Sequence, residues 1–452
     1  LPPAKIVLLA VVMLLTYVVT CFVFKSLLLQ TLRILGLYSP NLYSALPSAI
    51  PLIRWRSIYL LKMAFNRWHD ILFKTGKRAS GGFSSPLATM TLLYKNPAKQ
   101  IPLGRVWCWG LPLSQQIVAL DVDKHFCVVG ATGAGKSVLI KAIIASYQGS
   151  IFLIDAKNEM EDSLKRQDKR RKWVCLKPYS LDTSDQINPF DVVTMVFQQY
   201  GESFAIRAAY VIATSLIETN PDAKQPYFTQ ASAGMLSGLI LFVVAHFPQE
   251  YHTLGFVRTL IIKGLEVYND DGTPVYTPDE AKDLLYQTMR ESTAFSGAII
   301  GAASVFINAS NETRGNLEST LAERTRIFDI EGVRYITNAT TRPLSELKTC
   351  DDYVLSIGAS VQSIRGELKD LFKMYLNIIL FVFEVTPQKK GQTLLLAEEF
   401  NAQGYNSVFE AALPVIRSMG LNAGIIIQDV ESLRAAYKST YRAFMGNASF
   451  VV

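Results

Sequence analysis

HFCVVGATGAGKSVLIK, residues 125–141, decides the fold of this chain. Phe126, Cys127, Val128 and Val129 make a short apolar run of the kind a buried strand carries. Residues 138–145, beyond the glycines, place apolar side chains at helical spacing. Between the two, Gly130, Ala131, Thr132, Gly133, Ala134, Gly135, Lys136 and Ser137 satisfy the pattern G-x-x-x-x-G-K-[ST]. Strand, glycine-rich loop and helix thus come in the order that a phosphate-binding loop requires. Glycines let successive backbone N–H groups converge on phosphate oxygens with no Cβ in the way, and the helix N-terminus adds the positive end of its dipole. Lys136 supplies a point charge, and Ser137 is the candidate Mg²⁺ ligand. Expected nucleotide contacts are these residues together with Val138.

Working outward toward the C-terminus, residues 150–154 form a second apolar strand that ends at Asp155 in the sequence DAKNE. Strand, loop, helix and strand in this order predict a right-handed βαβ unit with the nucleotide at the carboxyl ends of the strands. The charge run KRQDKRRK, residues 165–172, reads as a solvated helix face, because Asp168 interrupts it and no aromatic residues interleave. INPF follows at residues 187–190. From about residue 199 to 342 strand signals fade, and the clearest helices are expected over 203–218, 228–247, 278–290 and 315–328. Residues 228–247 carry no charge and could pass for a membrane span, yet Gln230, Ser232 and Ser237 dilute the run and polar segments flank it, so a membrane span is not expected there. Strand signals resume at 353–357, and an apolar helix is expected over 371–383.

TLLLAEEF, residues 393–400, is a buried strand whose end delivers two adjacent carboxylates. At such a strand end one carboxylate holds the hydration shell of Mg²⁺ and the next polarises the attacking water. Glu398 takes the first role and Glu399 the second. A further buried strand over 424–427 ends at Gln428, and residues 449–452 read as a last strand.

Toward the N-terminus, residues 6–24 are an uncharged run of nineteen residues, long enough to cross a bilayer as a helix. Residues 34–53 are also uncharged but broken by Pro40, Pro47 and Pro51, which leaves a broken second span, a re-entrant segment or two separate pieces open. The flank that follows is basic and aromatic, including Arg54, Trp55, Arg56, Arg67 and Trp68, as on the cytoplasmic side of a membrane. SGGFSS at 80–85 is a link, after which residues 90–120 read as short strands leading into the nucleotide domain. A mean hydropathy of +0.21 agrees with a membrane segment. Among 452 residues, 45 Lys and Arg against 38 Asp and Glu give a net charge of +7, suited to an anionic partner or membrane surface but too diffuse to define a nucleic-acid site. Five scattered cysteines without C-x-x-C spacing read as free thiols, and the four histidines make no zinc pattern. Lacking an initial methionine, the numbering is expected to start inside a longer product.

Taken together, GATGAGKS, FLIDAKNE (152–159), INPF and LLLAEEFNAQG (394–404), followed by Arg417, Gln428 and Tyr437, resemble the membrane-anchored coupling ATPases of type IV secretion and conjugation, the TraG/TraD type. The resemblance covers most of the chain. It implies an α/β RecA-like P-loop nucleotide domain with an inserted all-helical domain and an N-terminal transmembrane anchor. In this chain the anchor and basic flank would occupy residues 1–79, the two parts of the nucleotide domain 80–198 and 343–452, and the helical insert 199–342. It further implies ATP and Mg²⁺, a homo-hexameric ring at the bacterial inner membrane with its ATPase domain in the cytoplasm, and contacts with secretion-channel components. The cargo is relaxosome DNA, protein effectors with their adaptors, or both. Arg417 falls where the family places an arginine that approaches a neighbour's nucleotide, and Gln428 where it places a residue that senses the γ-phosphate. Two positions depart from the family pattern: Glu398 stands where Asp is usual, and Asn158 where glycine is frequent. The chain is also expected to stop one or two strands short of the full nucleotide domain. Two other readings keep part of this picture, a chromosome-pumping DNA translocase of the FtsK type and a receptor scaffold that docks effectors with slow or regulatory ATP turnover.

Overall fold

A computed structural model describes residues 100–451, except 109–110, 122–123, 132, 218–225, 388–391 and 448–449. The expected anchor, its basic flank, the link at 80–85 and Thr132 lie outside the described residues. The first two strands, β1 (Gln100–Cys108) and β2 (Leu111–Asp121), pair antiparallel as a two-stranded ribbon. Seven parallel strands then build the main sheet: β3 (Phe126–Val129), β4 (Ile151–Asp155), β5 (Lys172–Leu176), β6 (Tyr353–Gly358), β7 (Thr393–Ala397), β8 (Leu421–Ile427) and β9 (Phe450–Val451). Their spatial order is β5-β6-β4-β7-β8-β3-β9.

These strands are near-continuous apolar runs because helices cover both faces of the sheet. Every residue of β4, β6, β7 and β8 is buried. The two-residue period of the pleat sorts their side chains into two cores. Phe152, Ile154, Leu395 and Ala397 join a large cluster that continues into the helical region through Leu236, Phe306 and Phe328. Ile151, Leu153, Leu394 and Leu396 face the other way, onto Ile140, Ile143 and Ile144 of the helix Lys136–Ser146.

Between β5 and β6 the described chain is helical but for a lone bridge between Tyr268 and Pro274. The observed helices include Glu202–Leu216, Pro226–His246, Pro278–Glu291 and Asn311–Thr325, within a few residues of the predicted ones. Pro226–His246 is long and apolar enough for a bilayer, but 61% of its apolar window is buried inside the protein, as expected of a core helix. INPF joins the two ends of the helical region. Asn188 Nδ2 donates to the His252 carbonyl (2.7 Å), the Asn188 N–H donates to Thr340 Oγ1 (2.9 Å), and Ile187 N–H donates to the Ile336 carbonyl (2.8 Å). The motif is thus a structural joint.

The charge run departs from expectation. Residues 165–171 form turns rather than a helix, and Lys172 already starts β5. Arg170 Nη2 donates to the carbonyls of Ala145 (3.1 Å) and Tyr147 (3.3 Å), and Arg171 Nη2 to that of Ile144 (2.5 Å). The physical reason is the C-terminus of the helix Lys136–Ser146, whose last carbonyls lack helical partners and attract cations. Asp168 holds Arg171 in place through its Nε (2.6 Å).

Candidate active site

All seven strands of the main sheet run the same way, so the loops that follow them meet along one edge. Of these, β3, β8, β7 and β4 are consecutive neighbours, which brings together Gly130, Gln428, Glu398 with Glu399, and Asp155. The phosphate loop needs its glycines: Gly133 and Gly135 have φ of +82° and +90°, a left-handed region where a Cβ is strained. Gly135 also occupies the N-cap of the helix Lys136–Ser146 without a side-chain cap, so the first helical N–H groups have no competing side-chain acceptor there. Lys136 is buried, its Nζ donating to the carbonyls of Gly130 and Ala131, while the Gly130 N–H ties the loop to Ile427 of β8 (3.2 Å). Ser137 is half-buried at the first turn of the helix. Ala131, Ala134 and Val138 are exposed.

At the end of β7, Glu398 and Glu399 are each 1% exposed. Glu399 has φ +50°, and Gln428 Nε2 donates to its Oε1 (2.9 Å). This places the two predicted residues in one hydrogen-bonded pair. Glu399 Oε2 and Glu398 Oε2 have no hydrogen-bond partner. Burial raises the Glu398 carboxyl above the ordinary carboxylate range, against the opposing pull of Lys157, whose Nζ lies 3.3 Å from Glu398 Oε1. Partial burial disfavours the Lys157 charge, yet Glu398 outweighs it and holds the ammonium above its usual value. Asp155 is likewise raised by burial, while N–H groups of Lys157 (3.3 Å), Glu159 (3.3 Å) and Met160 (2.9 Å) donate to its carboxylate. Buried oxygen donors with unpaired lone pairs suit a hard cation such as Mg²⁺, and Glu398 supplies such donors, whereas the expected partner Ser137 is only half-buried.

Sequence reasoning gave no role to Asp155 or Lys157, although DAKNE stood in plain view. Its signal was two charged residues just past a buried strand. Asn158, where the family frequently has glycine, has φ +56°, a conformation that asparagine tolerates better than other side chains. Its Oδ1 fills the space a Cβ on Gly358 would need, at 1.7 Å. Arg417 lies at the other end of the sheet, in the 3₁₀ turn Ile416–Met419 that precedes β8. There His125 Nδ1 accepts from the Ala423 N–H (3.0 Å), and burial, with a smaller push from the Arg417 charge, lowers the His125 pKa below the ordinary value against a bond to the Leu413 backbone. The length of β8, about 20 Å for seven residues, separates that turn from Gln428.

A parallel sheet with a glycine-rich loop on one strand and paired acids two strands away defines a P-loop nucleotide-binding protein of the α/β class. The family model described as type IV secretory system conjugative DNA transfer matches residues 95–452, and the chain belongs to that family. Among solved structures, the plasmid coupling protein TrwB in complex with the non-hydrolysable ATP analogue ADPNP is similar, with a TM-score of 0.57 and 16% identity over 82% of this chain and 78% of that one. TrwB in complex with ADP and Mg²⁺ is similar at a TM-score of 0.54 and 16% identity, over 80% and 75%. At such identity the likeness is one of fold. No curated protein matches the sequence. Membership of this family favours type IV secretion over the chromosome pump and the docking scaffold.

Proposed function

We propose that this chain is the coupling ATPase of a type IV secretion system, binding ATP with Mg²⁺ and using hydrolysis to recruit and drive DNA, protein or both into the channel. One observation carries the reading: the phosphate loop, the Glu399–Gln428 pair and the buried Glu398 leave adjacent strands at one edge. The solved complexes of TrwB with ADPNP and with ADP and Mg²⁺ support the choice of ligands. Loop N–H groups and Lys136 hold phosphates, once Lys136 leaves the carbonyls it now bonds. Ser137 and Glu398 would hold Mg²⁺, which would neutralise charge on the phosphate oxygens. Glu399 takes up a proton from the attacking water, and Gln428 fixes the direction of its carboxylate.

In this reading residues 1–79 anchor the protein in the bacterial inner membrane and residues 199–342 act as a helical domain facing the cytoplasm. Residues 80–198 and 343–452 are the two parts of one nucleotide domain. Six copies form a ring with channel components, and Arg417 reaches the neighbour's γ-phosphate. The purified protein should hydrolyse ATP only with Mg²⁺, and Lys136→Ala should abolish turnover. Measured with single-stranded DNA, double-stranded DNA and no DNA, the rates also separate a DNA-stimulated motor from one driven by protein cargo. Mg²⁺-dependent turnover that survives Lys136→Ala contradicts the reading.

A further inference from the structure

Beyond the expected loop lysine, the site holds a second cation whose position is not explained by phosphate binding. Lys157 Nζ stands 3.3 Å from Glu398 Oε1. Among the described residues it is the only side-chain cation at ion-pair distance from Glu398. Its backbone is fixed, with its N–H on the Asp155 carboxylate and Asn158 next to it in the left-handed region. Its side chain, by contrast, is 37% exposed and reaches inward from solvent, whereas Glu398 is 1% exposed. Such a side chain can withdraw without rearranging the core. Lys136 cannot serve in its place, since it is turned onto the carbonyls of Gly130 and Ala131.

A buried carboxylate that stays ionised needs a compensating cation, and an ammonium and a divalent ion held on the two oxygens of one buried carboxylate repel each other strongly. We propose that Lys157 is a placeholder cation, which pairs with Glu398 while the site is empty and is displaced from it when metal and nucleotide bind. Lys157 is then a positioning residue that sets how much divalent cation the site demands. The inference rests on the proposed function, because it takes Glu398 to be the metal ligand.

Mn²⁺ binding provides the test, followed by the electron paramagnetic resonance signal of free Mn²⁺ with saturating ADP on the full chain. Lys157→Met should lower the Mn²⁺ concentration for half-saturation about two- to fivefold, the range a partly exposed ion pair supports, and Lys157→Arg should restore wild-type behaviour. Unchanged or weaker Mn²⁺ binding in Lys157→Met, with Glu398→Gln weakened as expected, overturns the placeholder role alone. If Glu398→Gln binds Mn²⁺ like the wild type, Glu398 is not the ligand, and the metal-site assignment falls together with this inference. Melting curves of each variant guard against a change in folding.

Discussion

Glu399 and Gly135 both occupy positive φ, +50° and +90°. At Gly135 an added Cβ would meet nothing within 4 Å, so the requirement for glycine is one of backbone conformation and not of space. Gly135→Ala therefore costs about 1–2 kcal/mol of loop strain, the penalty of a left-handed L-residue, and should weaken binding of a fluorescent ATP analogue about tenfold. Wild-type affinity in that variant would show that the loop does not need this conformation to hold phosphate. Glu399 bears the same kind of strain with a full side chain, a feature common at catalytic positions. The loop and the paired acids were legible in the sequence because each is a contiguous motif. Lys157 on Glu398 and the strain at Glu399 were not, since the first joins the ends of two strands remote in sequence and the second has no residue-type signature.

At the scale of elements, apolar runs and helical spacing located β4, β6, β8 and the long helices to within a few residues, because burial on both faces of a parallel sheet leaves a strong mark on composition. The charge run at 165–172 misled for a tertiary reason: its arginines serve carbonyls of the helix Lys136–Ser146, a contact that local periodicity cannot encode. Gly424 in β8 has a comparable hidden role. It stands opposite Phe126 in the β3–β8 register, and a Cβ there would lie 2.3 Å from the Phe126 ring and 2.8 Å from Leu396. A glycine inside a buried strand thus marks a close approach, here of the ring on the strand that leads into the phosphate loop. Gly424→Val should destabilise the protein by about 1–3 kcal/mol through overpacking, read as a lower urea midpoint. A midpoint equal to that of the wild type would mean that Phe126 does not pack on Gly424.

For the whole molecule, the separation of Arg417 from the phosphate-loop edge by the length of β8 bears on assembly. We propose that an arginine so placed serves a nucleotide held by a second copy, since head-to-tail contacts close into rings when the rotation permits. Lys136→Ala and Arg417→Ala should each be inactive alone. Mixed in equal amounts, about a quarter of the contacts would join an intact loop to an intact arginine, and some ATPase activity should return. Full activity of Arg417→Ala by itself would exclude the trans-acting role. The claim beneath all of this is that the edge formed by Gly130, Gln428, Glu398 and Glu399 hydrolyses ATP, and Glu399→Gln tests it most directly, because the amide keeps the size of the side chain and loses the base. Nucleotide affinity and steady-state turnover should be measured on the same preparation. The account predicts affinity near that of the wild type with turnover reduced at least about a hundredfold, whereas wild-type turnover in Glu399→Gln would contradict it.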